Sequence, residues 1–269
     1  MCRLVAYLGP PLRLSVVLSE TEHGLIHQSY APREMTAGLL NADGWGVGWF
    51  PRGPDPSPGV LKGIWPIWSD ENATAATHAI VSGSFVAAIR SASPGLGIAV
   101  DNTPPYASRR HLFAHNGRIW PWPGPLSRAL RARVSPEEEA LVRGTTDSEW
   151  FAALWRTHLG RSVSGDAAQA LRTALREVVE LASHHGGGIT ANLILADVNG
   201  FLAIRFADVG PAPSLYLSRD ESRWPGGTMV ASEPLDDACG WREVPAMSLV
   251  RVDGRGARTE PLWNETGRA

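Results

Sequence analysis

The chain has 269 residues, 43% of them apolar, with a formal charge of −2 and a pI near 6.4. That is enough apolar residue for a buried core, which excludes a disordered chain, and the charge excludes the basic field that nucleic acid or an anionic membrane surface selects. Cys2 and Cys239 are the only cysteines, so there is no disulfide framework and no paired-cysteine zinc site, and no apolar run reaches the length of a membrane span.

The composition suits a reducing cytoplasm, and no metal, cofactor, nucleic-acid or membrane partner is expected. Pro10, Pro11 and Arg13 interrupt the apolar start, and no small-residue cleavage site follows.

The first three residues are Met1-Cys2-Arg3. Removal of Met1, which a neighbour as small as cysteine permits, would leave a thiol and a free α-amine on one residue. An α-amine titrates near ~7.7–8 and a thiol near ~8.5, so the amine can take the thiol's proton. Nucleophile and base are then joined covalently. On these residues alone, a small apolar residue opening a strand is the simpler account.

Cys2 to Leu8 reads as a short buried strand ended by Gly9-Pro10-Pro11. Ser29 to Leu40 is polar and reads as a loop. In Trp45-Gly46-Val47-Gly48-Trp49 the alternation puts Trp45, Val47 and Trp49 on one face of a strand whose other face is bare glycine. Such a face admits either another backbone or a ligand.

After an exposed tip at Pro51 to Gly59, Val60 to Trp65 resumes as a strand, and Ser69-Asp70-Glu71 opens a helix to about Val81. Phe85 to Ile89 is a strand running into Arg90, whose planar fork is suited to a carboxylate, although a surface ion pair is the commoner use. His111 to Ala114 is a strand ending in His115-Asn116-Gly117. There an exposed amide and a backbone N–H can converge on one spot, as in an oxyanion hole, or form a hairpin turn.

Ser135 to Glu139 caps a short helix whose three glutamates read as a solvated face. Thr145-Thr146-Asp147-Ser148-Glu149 opens a strong helix, with Asp147 or Thr146 as its cap, or with a carboxylate there holding a ligand ammonium. Asp166 to about His184 is the clearest helix by its i, i+3, i+4 apolar spacing. His184-His185 at its end is explained by the helix dipole. The remainder reads as strands at Ala191–Ala196, Phe201–Phe206, Leu215–Ser218, Met229–Ala231, Ser248–Val252 and Arg258–Leu262. No composition break divides the chain, so residues 2–269 are read as one α+β domain with antiparallel sheet.

Cys2, Arg90, Asn116-Gly117 and Asp147 together suit a γ-glutamyl amide. Cys2 would be the nucleophile, Asn116 and the Gly117 N–H would hold the oxyanion, Arg90 would pair with the α-carboxylate and Asp147 with the α-ammonium.

The order of Cys2, Arg90 to Ser93, Asn116-Gly117 and Thr146 to Glu149 resembles the class II glutamine amidotransferase-like N-terminal nucleophile hydrolases. The resemblance implies a four-layer αββα sandwich, with two antiparallel sheets between helix layers, and a role for Ser93 beside Arg90. Within that family Met-Cys-Arg, Asn41 to Trp49, Pro66 to Asp70 and Val230-Ala231-Ser232-Glu233-Pro234 resemble the ergothioneine-pathway branch. Its members hydrolyse γ-glutamyl-hercynylcysteine sulfoxide to glutamate and hercynylcysteine sulfoxide. No synthase domain follows in this sequence, and no residue names the amine side of the substrate. Three readings stay open: a stand-alone amidohydrolase, a glutaminase subunit feeding a separate synthase chain, and a non-catalytic γ-glutamyl binder. A homo-oligomer is compatible with each.

Overall fold

The computed structural model describes residues 2–35 and 38–263. In chain order its strands are β1 (Arg3–Arg13), β2 (Trp45–Trp49), β3 (Gly59–Gly63), β4 (Val81–Ile89), β5 (Tyr106–Ser108), β6 (His111–Trp120), β7 (Gly188–Asp197), β8 (Gly200–Ala207), β9 (Tyr216–Ser218), β10 (Thr228–Ala231), β11 (Trp241–Glu243), β12 (Ser248–Asp253) and β13 (Gly256–Pro261). The α-helices are α1 (Leu25–Tyr30), α2 (Glu71–Ala79), α3 (Pro125–Arg131), α4 (Pro136–Glu139), α5 (Asp147–Arg161) and α6 (Ala167–His184).

Two antiparallel sheets result, one ordered β11-β9-β10-β1-β4-β2-β3 and the other β13-β12-β8-β7-β6-β5. Period-two alternation along their central strands gives each sheet two apolar faces. Leu4 and Ala6 of β1, Val86 and Ala88 of β4, and Leu112 and Ala114 of β6 meet in a layer between the sheets. Val5, Tyr7, Phe85 and Ala87 face outward to Leu25 of α1 and Ala73 of α2. Phe113 and Ile119 of β6 face outward to α5 and α6.

Three cores separating four layers make an αββα sandwich. Among the described residues no helix is long and apolar enough to cross a membrane.

Several boundaries depart from the sequence reading. β1 does not end at Gly9-Pro10-Pro11 but runs on to Arg13. Its pairing with β4 slips between Leu8↔Ser84 and Leu12↔Ser82, and this bulge takes up the prolines, which cannot donate to a ladder. β6 likewise continues past Ala114. Asn116 pairs with Asn192 and Gly117 with Ala191, so Asn-Gly sits in mid-strand and is no hairpin turn.

The presumed loop from Ser29 opens inside α1, and residues 36 and 37 lie outside the described residues. The bare face of β2 is a packing face, since a Cβ on Gly46 would lie 2.2 Å from the Pro104 carbonyl. Of the three glutamates, Glu138 is not solvated. It is buried and meets Arg156 at 2.5 Å. α2, α5 and α6 start where expected, with Asp70, Thr146 and Asp166 accepting N–H groups of their first turns.

Candidate active site

One end of the sandwich gathers the chemistry-bearing residues, because β1 begins there while β4 ends and α5 starts there. Cys2, Arg90, Ser93, Gly117 and Asp147 line a single pocket, together with Tyr106, His115 and Ser148. The Cys2 thiol is half-buried with its Sγ 3.8 Å from the Ser91 carbonyl oxygen. Arg3 donates from Nη1 to the Cys2 carbonyl at 3.0 Å, tying down the backbone of the nucleophile candidate.

Arg90 is buried, and its guanidinium donates only to carbonyls, of Asp43 at 3.4 Å and Gly97 at 3.2 Å. No carboxylate of the described residues pairs with it. Asp43 fixes the turn that follows, its carboxylate accepting the Ala92 N–H at 2.7 Å.

Asp147 is its complement, a buried carboxylate with no cation partner among the described residues. Its Oδ2 accepts the Ile119 N–H at 2.7 Å and its Oδ1 the Ser148 N–H at 2.8 Å. The first of these bonds ties the start of α5 to β6. The stacked Phe113 and Phe151 rings, 5.6 Å apart, join the same two elements, and burying one such side chain contributes roughly 1.5–3 kcal/mol.

His115 is fully surrounded. Burial pushes its imidazole below the ordinary value, opposed by the Asp147 charge and the bond to Thr190. Neutral, it donates from Nε2 to the Thr190 carbonyl at 3.2 Å, and its Nδ1 lies 2.9 Å from the Ser148 Oγ, which also reaches Asp147 Oδ1 at 3.1 Å. Gly117 has φ +153°, and a Cβ there would lie 1.8 Å from the Thr190 carbonyl oxygen. Only glycine fits.

Asn116, of opposite parity in β6, does not line the pocket but faces the layer between the sheets, which Leu4 of the Cys2 strand also faces. It is fully buried, with Nδ2 3.4 Å from Ser232 Oγ and no partner for Oδ1 among the described residues.

A larger hollow, about 480 Å³, lies on the other side of Tyr106, lined by Lys62, Asp101, Arg143 and Glu149. Burial lowers the pKa of Lys62, the only lysine, to about 8. None of the six residues singled out in the sequence lines this hollow.

Sequence reasoning missed the parts that hold the site: Asp43, His115, Ser148, Ser232 and Glu233. Glu233 is fully buried and gathers Arg3 at 2.7 Å, His23 at 2.9 Å, and the N–H groups of Arg33 and Glu34 at 2.8 and 3.0 Å. Its signal was the Val230 to Pro234 stretch, which gave no spacing argument by itself.

An N-terminal-nucleophile sandwich with a thiol, an arginine and an aspartate around one pocket defines a class. Residues 14–210 match the class-II glutamine amidotransferases, and the chain belongs to that family. It is similar, at 32% identity over 271 residues and 99% of each chain, to the γ-glutamyl-hercynylcysteine sulfoxide hydrolase of Mycobacterium tuberculosis. The protein of the same name from Mycolicibacterium smegmatis is also 32% identical, over 97% of this chain and 100% of that one. Among solved structures, a glutamine aminotransferase class-II domain protein from Silicibacter pomeroyi shares the fold, with a TM-score of 0.72, 24% identity, and coverage of 97% and 99% of the two chains.

Proposed function

We propose that this chain is a γ-glutamyl amidohydrolase whose substrate is γ-glutamyl-hercynylcysteine sulfoxide, working in the cytoplasm as one domain over residues 2–269. The observation that carries the reading is the pairing of unmatched charges: Arg90 and Asp147 are buried in the wall of one pocket, each without an opposite charge of its own among the described residues, beside the Cys2 thiol. An α-amino acid head supplies both missing partners, a carboxylate for Arg90 and an ammonium for Asp147. Ser93 lines the same wall and adds a hydroxyl for the carboxylate.

With the head held, the γ-carbonyl is the part of the substrate presented to Cys2. The α-amine of Cys2, freed of Met1, takes the thiol proton as sulfur bonds to the γ-carbon. The Asn116 amide and the Gly117 N–H stabilise the resulting oxyanion. The C–N bond then breaks and the leaving amine carries off that proton, leaving a γ-glutamyl thioester. Water adds to the thioester and gives a proton to the α-amine, the C–S bond breaks, the thiol regains its proton and glutamate departs.

The leaving group is taken from the two mycobacterial relatives named above. The test is to compare kcat/KM for γ-glutamyl-hercynylcysteine sulfoxide and for glutamine on the same preparation. A preference of at least 100-fold for the sulfoxide is expected. Preference for glutamine would make the chain a glutaminase, and binding without turnover of either would make it a γ-glutamyl binder.

A further inference from the structure

Ser232 ties the strand that carries Cys2 to the strand that carries Asn116. Its backbone N–H donates to the Leu4 carbonyl at 2.9 Å, and its Oγ accepts the Leu4 N–H at 3.0 Å. A side-chain oxygen therefore closes the β1–β10 pairing at the strand end that carries Cys2. The same Oγ lies 3.4 Å from Asn116 Nδ2, and Ser232 is fully buried. Its carbonyl accepts the Ser214 hydroxyl at 2.8 Å, while the next residue, Glu233, is anchored by Arg3 and His23. Little freedom is left to this hydroxyl.

The layer it occupies is mostly apolar, with Asn192 directly across from Asn116 as a second buried amide, so each unmet polar atom there is costly. Asn116 Oδ1 is such an atom, buried and without a partner among the described residues. Ser232 Oγ already accepts from Leu4 and still has its own proton to give. The Oγ also lies within reach of one Asn116 Nδ2 proton, at 3.4 Å, which leaves the second Nδ2 proton to give.

We propose that Ser232 is a positioning residue for catalysis: its hydroxyl oxygen accepts one Asn116 Nδ2 proton and holds the amide so that the other is presented to the oxyanion, in register with the strand that presents Cys2. This rests on the reading of Cys2 and Asn116 as the reacting groups, and Ser232 itself touches no substrate.

The experiment is a double-mutant cycle of Ser232→Ala and Asn116→Ala, with Cys2→Ala as reference, on γ-glutamyl-hercynylcysteine sulfoxide and on a γ-glutamyl anilide. The anilide keeps the cycle readable if the natural leaving group is different. Ser232→Ala should lower kcat roughly tenfold with KM within about twofold, the size expected for misaligning rather than removing a donor whose loss costs about 10²–10³. Because Ser232 acts through Asn116, the double variant should be no slower than Asn116→Ala within about twofold.

Multiplying losses, or a Ser232→Ala kcat within twofold of wild type, would overturn the proposal. Full activity in Cys2→Ala or Asn116→Ala would instead overturn the reading it rests on. Should Ser232→Ala not fold, Ser232→Thr, which keeps the hydroxyl, and Ser232→Cys, which replaces it with a weak sulfur acceptor, make the same comparison. Equal kcat in those two would also overturn it.

Discussion

Arg3 and Glu233 meet at 2.7 Å with both side chains fully buried, 230 positions apart in the chain and directly beside the nucleophile candidate. Burial works against both charges. It lowers the pKa of Arg3, and it would raise that of Glu233, but the His23 bond, the Arg3 charge and two backbone N–H groups outweigh it and hold the Glu233 carboxyl below its usual range. Replacing one partner alone strands the other. Glu233→Ala should therefore cost about 3–5 kcal/mol of folding stability. Guanidinium denaturation measures it, and a loss under about 1 kcal/mol would mean the pair is better hydrated than its burial indicates.

Gly117→Ala should fail for a steric reason. The added carbon would sit 1.8 Å from the Thr190 carbonyl oxygen and 2.7 Å from His115 Nε2, so β6 and β7 must separate. A loss of at least about 1–3 kcal/mol is expected from overpacking against backbone. A thermal melt within a degree of wild type would show that the two strands can part freely.

Stability should also depend on the protonation of His115. Its folded pKa lies below the ordinary value of about 6.5 because burial disfavours the cation, so below that pH the unfolded chain binds a proton that the folded chain does not. Stability contributed by neutral His115 is thus complete above about pH 6.5 and is lost as pH falls towards the folded value. His115→Gln should flatten the fall in unfolding free energy between pH 7.5 and pH 5 that wild type displays. Parallel curves would exclude His115 as its source.

Substrate holding and chemistry should separate in the kinetics. Asp147 would meet an ammonium that is the same in ground and transition states, so Asp147→Asn should mainly raise KM, a charged hydrogen bond becoming a neutral one. Asn116 would act on an oxyanion that exists only during reaction, so Asn116→Ala should mainly lower kcat, by about 10²–10³. An unchanged kcat in Asn116→Ala would remove the amide from the mechanism.

The sequence carried the residues of the pocket better than the means of holding them. Cys2, Arg90, Gly117 and Asp147 could be singled out from the start of the chain, a strand running into arginine, an Asn-Gly pair and a helix start, where local chemistry leaves a mark, while Ser93 came only from the family resemblance; all five line one pocket. The capped start of α5 and the periodic α6 were legible for the same local reason. Glu233 left no such mark. Its partners Arg3, His23, Arg33 and Glu34 come from distant positions: the β1–β10 pairing brings Arg3 to it, and the segments either side of α1 bring the other three. The run of β1 through Pro10 and Pro11 was hidden similarly, because a bulge that tolerates proline is defined by the partner strand and not by the prolines.

The account turns on Cys2 being the first residue of the working enzyme, since its base is the α-amine that Met1 would block. The direct measurement is the intact mass of purified, fully active protein, taken with the activity of Cys2→Ala and with Cys239→Ser as a control at the exposed second cysteine. The account predicts a mass lacking Met1, no turnover in Cys2→Ala and near-normal turnover in Cys239→Ser. Full activity in protein that retains Met1 would contradict it.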